Sequence, residues 1–150
     1  MKRILWFLLV GSAASFALGA SHSAFETLSR AAAEKYTLPN HAGSQYAEKF
    51  SDWSTKPMLH AMTACESHPP SNRYCDILAV VGADGHLRRV LFSPANSYVD
   101  CVRKDLRLGA VAPKPPGENW PVQIRLLDGP RPKPKEGDRP FIILSAGHVE

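Results

Sequence analysis

The stretch that most constrains this chain is Cys75–Val81, read CDILAVV, followed at once by Gly82-Ala-Asp-Gly-His86. In an extended backbone Cys75, Ile77, Ala79 and Val81 point one way, and Leu78 and Val80 point the other. A strand apolar on both sides belongs in the interior of a sheet, with cover on at least one face. Asp84-Gly85 supplies the positive-φ dipeptide of a tight reversal, so a hairpin is predicted. The return strand, His86–Ser93, is more mixed because Arg88 and Arg89 interrupt its apolar residues, and Pro94 ends it. The remaining chain must cover this hairpin.

Three helices are predicted before it. Residues 24–37 contain the Ala31-Ala32-Ala33 run, with Phe25, Leu28 and Ala32 on one stripe; Leu38-Pro39 ends the helix, since proline disfavours helical backbone in the residue before it. In residues 44–53, Tyr46, Phe50 and Trp53 share a face. A third helix, from 54 to 68, has Ser54 or Thr55 as its cap, Pro57 in its first turn and Met58, Met62 and Cys65 on its buried side. After the hairpin, Asn96 or Ser97 caps another helix with Val99, Val102 and Leu106 inward and Gly109 as terminator. Val122–Leu127 alternates as a half-buried strand with Val122, Ile124 and Leu126 inward, and Phe141–Ser145 offers one more strand. Helices packed on one face of a small three- to four-stranded antiparallel sheet, with additional N-terminal helices, make an α+β fold.

The N-terminus reads as an export signal. Lys2 and Arg3 precede the apolar run Ile4–Val10, and small residues follow to Ala20, with cleavage expected after Gly19 or Ala20. The apolar part is too short for a comfortable membrane span. The expected organisation is a leader over 1–20, a helical segment over 21–55, an α+β domain over 56–127 and a Pro/Lys-rich loop with a terminal strand over 128–150. A periplasmic or secreted location follows, without stable membrane insertion. The chain carries 18 basic against 14 acidic side chains, and leader removal takes away two of the basic ones. That balance argues against a nucleic-acid partner. The residual excess gathers in the loop that holds Arg131, Lys133, Lys135 and Arg139.

Chemistry is sparse. The six histidines are scattered, and no metal-protease, nucleophile-elbow or phosphate-loop motif occurs. The glycines of Gly82–His86 sit in a hairpin, not at a helix start, so they cannot cradle phosphate. Cys65 with His68 and Cys75 is the one spacing that could be read as a metal set, and Cys75 with His68 as a nucleophile and base; both are the less favoured reading. No catalytic residue, metal or cofactor is expected. Three cysteines in an oxidising compartment suggest one bridge and one spare thiol, with the pairing open among Cys65, Cys75 and Cys101.

From about Pro57 to Leu127 the chain resembles the C-terminal domain of the TonB superfamily, in its cysteine-containing, motility-protein branch. Residues 77–94, ILAVVGADGHLRRVLFSP, resemble the family's strand, Asp-Gly turn and strand. Residues 96–106, NSYVDCVRKDL, resemble its second helix, including a cysteine followed by valine. Residues 112–126, APKPPGENWPVQIRL, resemble its proline-rich entry into a final strand. The resemblance implies the order helix, strand, strand, helix, strand. It also implies a Cys65–Cys101 bridge between the two helices, with Cys75 as the spare thiol. Loop closure gives that bridge about 4 kcal/mol and Cys65–Cys75 about 3 kcal/mol, too close for energy to choose. The family's energy transducers keep an N-terminal anchor and a Pro-rich spacer ahead of the domain; here the Pro/Lys stretch follows it, which argues against energy transduction.

The expected function is binding of a protein partner rather than catalysis. The strand order the resemblance implies makes 122–127 an edge, with 141–145 either capping it or offering another. The expected surface is that strand, with Val122, Gln123, Ile124 and Arg125, together with the basic loop residues Arg131, Lys133 and Lys135, because an open sheet edge can accept an extended peptide. An immunity or inhibitor protein against a secreted toxin is the alternative.

Overall fold

The computed structural model describes residues 14–69, 74–127 and 142–145, with side chains from His22 to Leu144. The elements are α1 (Ala14–Tyr36), α2 (Ala42–Ala64), β1 (Tyr74–Val81), β2 (Leu87–Ser93), α3 (Ser97–Asp105), β3 (Trp120–Leu127) and β4 (Ile142–Ser145). The fold is α+β, with strands in the order β2-β1-β3-β4.

β1 is the interior strand its composition demands, and every residue of it except Tyr74 is buried. β2 and β3 flank it, both antiparallel. The Asp84-Gly85 reversal forms as expected, with Gly85 at φ 87°. A Cβ on Gly85 would also stand 2.5 Å from the Ala112 carbonyl oxygen, so glycine is required twice over. The expected all-antiparallel sheet is corrected at one point. β4 runs parallel to β3, pairing Ile142–Ser145 with Ile124–Leu127, so the sheet is mixed.

The alternation of β1 divides the interior in two. Cys75, Ile77, Ala79 and Val81 join Val122, Ile124 and Leu126 in a large core beneath α2 and α3, whose contributions include Phe50, Met58, Tyr98 and Val102. On the opposite face Leu78 and Val80 pack with Phe25, Leu28 and Leu91 under α1. The N-terminal helix is therefore part of the fold and covers the second face of the sheet. Its C-terminal end turns into α2 at a close crossing. A Cβ on Gly43 would fall 1.6 Å from the Lys35 carbonyl oxygen, so a glycine there permits the contact.

Two sequence expectations about helices are corrected. The helices predicted over 44–53 and 54–68 are one, α2, with Pro57 inside it. Ser54 and Thr55 do not cap a new helix: their hydroxyls donate back to the carbonyls of Phe50, at 2.7 Å, and Ser51, at 2.7 Å. The same residue types satisfy either role, and burial of Tyr46, Phe50, Met58 and Met62 along one continuous side outweighs the cost of the proline. α3 does start at an Asn96 cap, whose Oδ1 accepts the Val99 N–H at 2.8 Å. It ends at Asp105, ahead of the expected Gly109, as Leu106 adopts extended backbone.

Candidate functional site

The cysteine question resolves in favour of Cys65–Cys101, with Cα atoms 6.0 Å apart. Cys65 closes the C-terminal end of α2 and Cys101 lies in the middle of α3, so the bridge joins both helices over the same face of the sheet. Cys75 is the free thiol and is fully buried on β1. Burial, seconded by the neighbouring Asp76 charge, pushes its pKa up to about 12. A thiol held protonated in this way is a poor nucleophile at neutral pH.

This removes the geometric basis of a Cys65/His68/Cys75 metal set, since the Cys65 sulfur is bonded to Cys101. The His68 ring is also engaged: Nδ1 lies 3.1 Å from the Cys65 carbonyl oxygen, and the ring stands edge-on to Tyr98 at 5.9 Å. Among the described residues, the one His/Cys/Asp/Glu group with metal-like spacing is Cys65, Cys101 and Asp105. Its two sulfurs are spent on each other, with the Asp105 carboxylate 3.6 Å from the Cys101 sulfur.

The predicted interaction strand is not a free edge along its second half. β4 pairs with β3 from Ile124 to Leu127. Val122 and Ile124 face the large core, where their apolar side chains bury against α2 and α3. Gln123 faces α1, and its Oε1 accepts the Ser29 hydroxyl at 2.6 Å. Arg125 makes a two-pronged ion pair with Asp76, with Nε at 2.6 Å and Nη2 at 2.7 Å, and its guanidinium lies over Tyr74. These four residues hold the sheet together. Arg131, Lys133, Lys135 and Arg139, predicted as a binding loop, lie outside the described residues.

Among the described residues, the outer strands of the sheet are β2 and β4. Among the described residues β2 pairs only with β1, through six of its seven residues with Arg88 left out at a register shift, and its sole order neighbour in the sheet is β1. Arg88 and Arg89 are exposed on it, and Arg88 reaches Asp84 at 2.7 Å. The Asp84 carboxyl sits below its ordinary value because it accepts the His86 backbone N–H, with Arg88 adding to the effect. Arg103 of α3 lies over the Phe92 ring at 5.3 Å, which brings the basic end of that helix to the same border. Arg88-Arg89 was the signal in the sequence that could have marked β2 as an edge, because natural sheets place charge on strands that have no second neighbour.

No family model, curated protein or solved structure matches this chain. No described helix is long and apolar enough to cross a membrane.

Proposed function

We propose that this chain is a small exported module that recognises a protein partner through the open edge of its sheet and performs no catalysis. The observation that carries the reading is β2: a seven-residue strand with arginines on it and pairing, among the described residues, on one side only. Such a strand can accept an extended segment by main-chain hydrogen bonds, and its arginines favour a segment that carries acidic side chains. The Cys65–Cys101 bridge supports export, because disulfides persist outside the reducing cytosol. A periplasmic location, reached with the residue 1–20 leader, belongs to the same proposal. So does the TonB C-terminal-like resemblance; α2, β1, β2, α3 and β3 follow the order it implies. The basic loop around Arg131, Lys133 and Lys135 would extend the contact.

The test is capture from the exported protein fraction by three forms: wild type, Arg88→Glu with Arg89→Glu, and Arg131, Lys133 and Lys135 all changed to Ala. A specific partner should be held by wild type, lost by the strand variant and weakened by the loop variant. Equal recovery by the strand variant would remove β2 from the reading. Mass mapping of the mature protein, expected to begin near Ser21 with Cys65 joined to Cys101, checks the export half.

A further inference from the structure

Among the described residues, the two borders of the sheet carry opposite charge, run in the same direction and are flanked by helices on the same face. β1 is antiparallel to both β2 and β3, and β4 is parallel to β3, so β2 and β4 point the same way. Along β4, between that strand and α2, lies an open groove of about 410 Å³. The two charged residues that line it, Glu48 and Asp52, are both acids, and Ile142 and Ile143 supply an apolar floor. At the other border, the last turn of α3 carries Arg103 and Lys104, and Arg88 and Arg89 stand on β2 itself. Of the acids there, Asp84 and Asp100 sit in exposed ion pairs with Arg88 and Arg103, and Asp105, the last residue of α3, holds its carboxylate 3.6 Å from the Cys101 sulfur, so the four cations outnumber the three acids by one. Ile142 and Leu144 pack toward the α2 side, and Phe92, beneath Arg103, packs toward the α3 side of the same core.

We infer that the β4–α2 groove receives the β2–α3 border of a second copy of this chain, joined head to tail. This rests on the proposed strand-addition reading and names its partner. A copy displaced along the sheet, with only the ordinary strand twist added, brings β2 beside β4 in parallel. It sets Arg103 and Lys104 opposite Glu48 and Asp52. Two different patches meet, so the contact is heterologous and repeats without closing into a dimer. Charge complementarity selects the register and disfavours like borders meeting.

Sedimentation velocity of the mature, disulfide-intact protein tests this. The average mass should rise with concentration past the dimer at low salt. It should fall back toward monomer at high salt, where the screening length shrinks from about 30 Å at 0.01 M to about 3 Å at 1 M. Glu48→Lys with Asp52→Lys should weaken association by about tenfold or more, and so should Arg103→Glu with Lys104→Glu. An equal mixture of the two variants should associate again, because each altered border then meets its complement. Retained circular dichroism and an intact bridge show that each variant has folded, and should one fail to fold, the salt series on wild type decides alone. A chain that stays monomeric at every concentration, variants that associate like wild type, or a folded mixture that stays monomeric would overturn the inference. If such a monomer still captured an exported protein through β2, the proposed function would stand without it.

Discussion

The two faces of the sheet are built from the same strands and held by different means. Beneath α2 and α3, β1 presents Cys75, Ile77, Ala79 and Val81 to a broad apolar core closed over by a disulfide. Beneath α1, the same strand presents Asp76, Leu78 and Val80. There the apolar group is small and is bordered by the Ser29–Gln123 hydrogen bond and the Asp76–Arg125 ion pair. One face thus draws its stability from area removed from water and a covalent link. The other depends on a few apolar contacts and on polar pairs whose partners must be kept together. One helix, α1, is the cover that has been described for the second face, so that face should open first.

Loss of the bridge is the sharpest way to separate them. Cys101→Ser should lower stability by about 4 kcal/mol in urea unfolding. Hydrogen exchange should rise in α3 and the end of α2 before it rises in α1. If α1 opens equally, the faces are not independent. Next comes a pair of neighbours on β1. Ile77→Ala should cost about 4 kcal/mol and Leu78→Ala about 2.5 kcal/mol, because a cavity under a single helix collapses more readily than one inside a ringed core. Equal costs in the same unfolding assay would break the comparison. Ser29→Ala should cost about 1 kcal/mol, and its exchange signature should be confined to α1.

The smallest effect at neutral pH is that of Cys75, and it grows in alkali. Its pKa is raised on folding from an ordinary 9.0 to about 12. Folding therefore favours the protonated thiol: the stabilisation is whole below pH 9 and is lost as the pH climbs from there through about 12. Burial also pushes the Tyr46 phenol upward, so wild type has a second alkaline titration. Cys75→Ala should flatten the first part of the decline and leave the second. An unchanged profile would mean that the thiol is not closed off from water.

What the sequence could disclose was set by how local the determinant is. The β1–β2 reversal rests on Asp84-Gly85 and an apolar run, and the α3 start on Asn96 and the Val99 N–H; both were readable. Val122, Ile124 and Leu126 could be placed in the core by alternation alone. The single α2 helix could not, because Ser54, Thr55 and Pro57 mimic a helix start when their carbonyl acceptors one turn back are unseen. The parallel joining of β4 to β3 depends on how the chain crosses between residues 127 and 142, which leaves no mark in either strand. That error carried over to the interaction surface. Gln123 and Arg125 looked like polar residues of an open border, and their partners, Ser29 and Asp76, lie 94 and 49 positions away. α1 as the cover of the second face was half legible: Leu78 and Val80 required something apolar, and the stripe of Phe25 and Leu28 was available to meet it.

The Cys65–Cys101 bond also ties off a loop that contains the whole β1–β2 hairpin. A pull applied between the ends of the chain bypasses that loop, since the load crosses from one sulfur to the other and skips the 36-residue interval. The strand at the centre of the molecule is then shielded from traction. Stretched singly, the oxidised protein should stop about 120 Å short of its reduced length.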